Sequence, residues 1–241
     1  IRDRFNYILL SMKKIISTLA IFICALIPAV MFTSCLDNDD EGKNQILTSN
    51  FVTYEGMRGG KPVFTYVNPK TQATVTLTGD LTDLKNVNEG DRCFLTYYLP
   101  AGIPDDAFTD SQIKIMQLVV ALTARIEEGQ AMQENDIPGL DLNLRTMYVN
   151  GYYLNLLATS YFGDKPEFKI TYVPESIETG TAEIYIIFNA QTNDAARDLD
   201  VPASFNIAAI WNNPNVTAIN VHLRNSNSAL GRSPFLIKKA N

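Results

Sequence analysis

Hydrophobic and polar positions fall into three regimes along the chain. Residues 15–30 form an almost unbroken apolar run with no period. Residues 36–45 are polar and charged, the composition of a solvated tether. From Ile46 onward, short apolar runs with two-residue alternation recur, each closed by Gly, Pro, Asn or Asp, as strands and turns require. The first part of this region predicts strands over 51–54, 62–67, 73–78 and 92–99. In the last of these, Cys93, Leu95, Tyr97 and Leu99 share one face. The second part predicts 142–149 and 152–158 around Asn150-Gly151, a dipeptide favoured in tight hairpins. Further strands are predicted at 168–173, 181–189, 205–211, 217–224 and 234–237.

Three stretches are less regular. Ile115, Leu118, Val119, Leu122 and Ile126 fit one helical face, yet Val119-Val120 and the flanking strands favour β, so pattern alone leaves 113–126 open. Residues 127–140, EEGQAMQENDIPGL, are polar and aperiodic. They predict a linker at 128–140 between a domain at 46–127 and another at 141–241. Residues 194–202 read as a loop or a single helical turn. Short strands separated by regular turn signals predict an all-β fold with a sandwich, rather than an α/β domain.

Charge and cysteine content narrow the possibilities. The formal charge is −6, and the first 34 residues carry four basic side chains and one acidic, leaving −9 on the remainder. Such a chain lacks the basic footprint that nucleic acid demands. Before the apolar run stand Lys13 and Lys14; after it come Thr33, Ser34 and then Cys35. Basic, apolar and small-residue segments in that order predict a bacterial export signal at 12–34. The run falls short of the roughly 20 apolar residues of a membrane-spanning helix. Residues 1–11, ahead of Met12, are expected to be an upstream extension outside the folded protein. With Cys24 and Cys35 in the export region, Cys93 has no disulfide partner and reads as a small buried hydrophobe.

A cysteine at the cut site resembles the lipobox of bacterial lipoproteins, whose thiol is joined to diacylglycerol. The resemblance implies lipidation at Cys35, a lipidated acidic tether at 35–45, and the membrane as a partner through that lipid. Asp37, Asp39, Asp40 and Glu41 resemble the surface-export signal of Bacteroidetes lipoproteins, implying an outer-membrane protein facing outward. The segment 148–156, YVNGYYLNL, resembles the NigD-like lipoproteins of Bacteroidetes, above all at Gly151, Tyr152, Tyr153, Leu154 and Asn155. The signal, the five N-terminal strands and the acidic linker fit the same family. This resemblance implies an N-terminal OB-like five-stranded barrel followed by a C-terminal β-sandwich, with 113–126 as the fifth barrel strand. It transfers no catalytic residues.

Candidate chemistry is sparse. His222, the one histidine, alternates with Val221 and Leu223 and is expected on a solvated face with Asn220 and Arg224. The chain has no G-x-S-x-G elbow. One histidine and one spare cysteine cannot form a usual zinc set. No catalytic residue, cofactor or metal is therefore expected. Acidic neighbours occur at Asp105-Asp106, Glu127-Glu128 and Asp194, Asp198 and Asp200. Adjacency in sequence does not set two carboxylates across a cleft, as glycoside hydrolysis requires. The segment 194–200 also lacks the glycine and closing glutamate of an EF-hand calcium loop.

Trp211 beside Asn212 and Asn213 could form a sugar-stacking platform, or else close one end of the sandwich. The expected function is that of an outer-membrane-anchored, surface-exposed, non-enzymatic binding or assembly module for a glycan or envelope protein. A carboxylate-dependent envelope hydrolase is the alternative. The functional surface is expected on the sandwich, near Trp211 and loops at 163–166 and 194–202. Replacing Cys35 with alanine should abolish lipid attachment and move the protein out of the membrane fraction. Labelled palmitate entering the Cys35→Ala protein would refute the assignment.

Overall fold

The alternation read from the sequence builds two β structures that share one junction. A computed structural model describes residues 46–80, 84, 86–99 and 110–239. The expected signal, Cys35, the tether and Asp105-Asp106 lie outside the described residues. All described residues belong to one compact unit, Asp40–Asn241. No helix among them is long and apolar enough to cross a membrane.

The first structure is a closed barrel of β1 (Ile46–Arg58), β2 (Lys61–Val67), β3 (Thr74–Gly79), β4 (Arg92–Leu99) and β5 (Asp110–Val120). Its order is β1-β2-β3-β5-β4, with β3 and β5 parallel and the other described pairs antiparallel. This is the OB-like arrangement. Of the stretch that fitted both periods, 113–120 belongs to β5, because Ile113 and Ile115 point into the barrel with Val52, Phe64, Leu77, Cys93, Leu95 and Tyr97, whereas 121–126 lies outside the barrel strand. Closure demands a residue without a side chain at Gly79, where an added Cβ would lie 2.6 Å from Cδ1 of Ile115.

The second structure packs two sheets face to face. One has the order β13 (Phe235–Lys238), β12 (Ala218–His222), β10 (Thr181–Gln191), β9 (Asp164–Tyr172) and β6 (Ile126–Glu128). The other has the order β11 (Arg197–Asn206), β8 (Tyr153–Phe162) and β7 (Asn143–Asn150). Between them lie Leu144, Leu154, Leu156, Phe168, Ile170, Ile184, Ile186, Phe188, Phe205 and Val221, a core set by two-residue alternation. The Asn150-Gly151 hairpin forms as expected, with Asn150 paired to Tyr153 and Gly151 at φ 58°.

The structure departs from the sequence reading in four places. Residues 127–140 do not hang between the two structures. Glu127 and Glu128 pair with β9, Ile137 is buried, and Leu140 N–H donates to the Phe188 carbonyl at 2.8 Å. The segment covers Tyr185 and Ile187 on the outer side of β10, and those apolar side chains supply the reason it stays there. The chain passes from barrel to sandwich earlier, through residues 121–125, where Leu122 bridges to Ala203. Residues 194–202 are not one loop, because β11 begins at Arg197 and pairs along its length with β8. The expected strand at 205–211 ends at Asn206 and gives way to a single helical turn, α1 (Ala208–Trp211). Gly163 is a one-residue turn between β8 and β9, not part of a long loop.

One guanidinium of the barrel reaches across to the sandwich. Arg92 donates from Nε to Ser204 Oγ at 3.0 Å, from Nη1 to Thr53 Oγ1 at 2.9 Å and from Nη2 to Asn155 Oδ1 at 3.2 Å. Its Cζ lies 4.1 Å from the centre of the Tyr153 ring. Asn155 and Ser204 are buried, and Ser204 Oγ donates to the same Asn155 oxygen at 2.8 Å. Burial pulls the Arg92 pKa below its ordinary value. Beside it Phe51 packs on Phe94 and Tyr148, and Asn150 Nδ2 donates to the Val67 carbonyl at 2.6 Å. The segment 148–156 therefore forms the sandwich side of this junction. Truncating Arg92 would remove the donor shared by half-buried Thr53 and buried Asn155 and Ser204, at about 1–3 kcal/mol for each group left unsatisfied. Arg92→Lys should also destabilise the protein in urea unfolding, because one ammonium cannot span the three acceptors and stack on Tyr153. An unfolding midpoint unchanged by Arg92→Lys would contradict this account.

Candidate functional site

The three-stranded sheet turns one face to the core and the other outward. On β8, Leu154, Leu156, Ala158 and Phe162 point inward, so Tyr153, Asn155, Leu157, Thr159 and Tyr161 point outward. Register places Asn143 and Asp200 opposite Thr159, and Asp198 opposite Tyr161. At the other end the same outer face carries Tyr148, Asn150, Tyr153, Asn155 and Ser204, the residues of the barrel junction. One face is thus divided: the barrel covers one end and the other stays open. Asn155 and Tyr161 are six residues apart on β8, about 20 Å along the strand.

The open end is a cleft of about 420 Å³ lined by Asp141, Asn143, Arg145, Thr159, Ser160, Tyr161, Asp198 and Ser226. Tyr161 is 58% exposed. Arg145 sits where the β7–β8 register shifts and pairs with Asp200 at 2.8 Å. Asp141 is fixed from two sides. Its carbonyl accepts from Ser160 Oγ at 2.7 Å, and its carboxylate accepts from Arg224 Nε at 2.7 Å. That hydrogen bond and charge raise the Arg224 pKa. A second hollow of about 240 Å³ lies on the other side of Asp141, between Glu134, Asn135, Arg224 and Arg232.

The connection after β12 closes the edge of β7 and brings Ser226 to the cleft. Leu142 N–H donates to the Arg224 carbonyl and Ser226 N–H to the Leu142 carbonyl, both at 2.9 Å. Asn225 and Asn227 side chains bind the two backbone groups of Leu144 at 3.2 and 2.7 Å. These asparagines supply the hydrogen bonds a further strand would otherwise provide.

The residues singled out from the sequence are placed differently. Trp211, Asn212 and Asn213 do come together, at the end of α1. Lys239 Nζ stands 5.4 Å from the Trp211 ring centre and donates to the Asn213 carbonyl at 3.0 Å. Asn213 Oδ1 accepts from Asn215 N–H at 2.9 Å. Within the cluster, Asn213 thus has both its side-chain oxygen and its carbonyl engaged.

His222 does not stand free in solvent. It is mostly buried, bonded through Nε2 to Glu183 Oε2 and stacked on Tyr185 with ring centres 4.3 Å apart. Asn220 Nδ2 donates to the other Glu183 oxygen at 2.9 Å. Parallel pairing of β10 with β12 brings these residues together, a long-range register that local alternation does not reveal. Of the acidic cluster, Asp198 reaches the cleft and Asp200 its arginine, because both face outward on β11. Among the described residues no three metal-ligating side chains converge. The alternation in RDLDV and the aromatic at Tyr161 were the available signals for the cleft; neither stood out before the register was known.

Neither a family model nor a curated protein matches the chain. Solved structures share its fold. A protein of unknown function from Bacteroides vulgatus is 15% identical, with a TM-score of 0.55 over 81% of this chain and 90% of its own. A NigD-like immunity protein from Bacteroides caccae is 16% identical, with a TM-score of 0.51 over 72% of this chain and 84% of its own. A protein described as a lipoprotein, from Bacteroides fragilis, is 11% identical, with a TM-score of 0.50 over 81% of this chain and 99% of its own. The resemblance of this chain to the NigD-like lipoproteins is thus matched at the level of the fold.

Cys93 is fully buried in the barrel, and burial pushes its thiol up to about 12. Burial likewise pushes the Tyr148 phenol at the junction up to about 12. Unfolding returns both groups to ordinary values of 9.0 and 10.0, so the unfolded chain releases protons first as pH rises. Stability should be unaffected by these groups below pH ~9 and fall between about 9 and 12. In the folded protein Cys93 should resist alkylation at pH 8 and react only after denaturant is added. Rapid labelling of the native protein would contradict a sealed barrel.

Proposed function

We propose that the protein is a lipid-anchored, non-enzymatic recognition module of the outer membrane, exposed at the cell surface, whose binding surface is the open end of the three-stranded sheet. The observation that carries this reading is the divided outer face: polar and aromatic side chains stand exposed on a rigid sheet at the end away from the barrel. The barrel begins at Ile46. The ten residues separating it from Cys35 can span at most about 35 Å. The barrel then lies on the membrane side in chain order, and the sandwich cleft is available to partners. Recognition residues held on rigid strands suffer little ordering cost on binding. A hydrolase is less well supported, because Asp141 and Asp200 each already bind an arginine instead of facing one another across a bond.

The test uses the full chain in detergent, immobilised and exposed to envelope extract separated into polysaccharide and protein fractions. A Thr159→Arg variant places a long side chain across the cleft without touching the core. The wild-type protein should retain a component that this variant loses, while both unfold at the same temperature. Equal retention by the two would overturn the assignment of the surface.

A further inference from the structure

We infer that the open end of the sheet is a subsite for a neutral sugar, with Tyr161 as the stacking platform. The inference rests on reading this face as the recognition surface, and adds the ligand class.

Tyr161 is 58% exposed on a strand whose outward residues at the barrel end are covered. An exposed aromatic held by a sheet offers a flat apolar surface at low conformational cost. The C–H face of a pyranose ring is the complementary surface. Around the ring, hydrogen-bonding groups are arranged at sheet spacing. Asp198 stands directly opposite on β11, Thr159 lies two residues along β8, and Asn143 stands opposite Thr159 on β7. Directly opposite neighbours are about 5 Å apart and those two residues along or diagonal about 7 Å, within reach of several hydroxyls of one sugar ring. Carboxylate, amide and hydroxyl together can both accept from and donate to sugar hydroxyls. The cleft volume of about 420 Å³ lies near the small end of ligand sites, suited to one or two sugar units.

Charge separates neutral from acidic ligands. Asp141, Asp198 and Arg145 line the cleft; Asp141 is bound to Arg224 and Arg145 to Asp200. Asp198 is left to face an incoming ligand. A uronic acid, sulfate or phosphate would meet it, and the cation lining the cleft, Arg145, is already engaged by Asp200. The same groups disfavour an apolar peptide anchor, which would bury the carboxylate and amide without partners.

The experiment is an array of neutral, uronic-acid-bearing and sulfated oligosaccharides probed with the detergent-solubilised full chain, followed by calorimetric titration of each hit. Neutral glycans should bind, and Tyr161→Ala should weaken them at least tenfold with an unchanged unfolding temperature. Tyr161→Trp should keep binding, since stacking needs only a flat ring. Asp198→Asn should weaken neutral glycans less than Tyr161→Ala does, and should ease the rejection of acidic ones. Binding that survives Tyr161→Ala, binding restricted to acidic glycans, or no binding to any neutral glycan would overturn the inference. If the Thr159→Arg comparison shows a retained protein component and no glycan binds, the recognition surface stands and the sugar assignment alone falls.

Discussion

Arg92 occupies an unusual position for a half-buried cation: among the described residues no carboxylate pairs with it. Two hydroxyls, one amide oxygen and one aromatic face share its charge, drawn from β1, β8 and β11. Such an arrangement is costly to assemble and costlier to leave half made, since each acceptor is desolvated whether or not the guanidinium arrives. That constraint explains why barrel and sandwich belong to one compact unit despite having separate cores. It also explains the tyrosines and asparagines at Tyr148, Asn150, Tyr153 and Asn155, the positions of 148–156 that face the barrel.

The junction has a second effect, on the face it does not cover. Strand β8 runs from Arg92's partners to Tyr161 without a break, so the cleft inherits the rigidity of the joined structure. Side chains at its open end can differ without loosening the clamp, because about six residues of strand separate the two. The proposed recognition surface and the junction share one face yet depend on different residues.

Much of this architecture was readable before any coordinates. The alternation of Cys93, Leu95, Tyr97 and Leu99 put those residues into the barrel, and Asn150-Gly151 made its hairpin. Local signals sufficed there because the period and the turn are local properties. The errors have a common physical origin in partners distant along the chain. Residues 127–140 look like a linker because Ile137 is nearly isolated in a polar stretch, and its burial depends on Tyr185 and Ile187, roughly fifty residues later. Polar 197–200 looks like a loop until β8 supplies its register. His222 looks solvated until the parallel partner strand brings Glu183 and Tyr185 beside it. The cleft was missed for the same reason: Asn143, Tyr161 and Asp198 become neighbours only through cross-strand pairing, and Trp211 drew attention as the single tryptophan.

Strand β11 lies at the border of its sheet and carries Arg197, Asp198, Asp200 and Pro202. A border strand with free amides is a template on which a second copy can add itself, and repetition of that event gives fibrils. The hazard grows when molecules are confined to two dimensions, as lipid-anchored proteins would be, because encounters become frequent and orientations partly aligned. Pro202 removes one donor from the border, and its carbonyl is already taken by Leu122 N–H at 2.9 Å. Arg197, Asp198 and Asp200 keep water bound along its first residues. The acidic stretch that looked like a loop thus keeps the border of one copy from knitting into a common sheet with another.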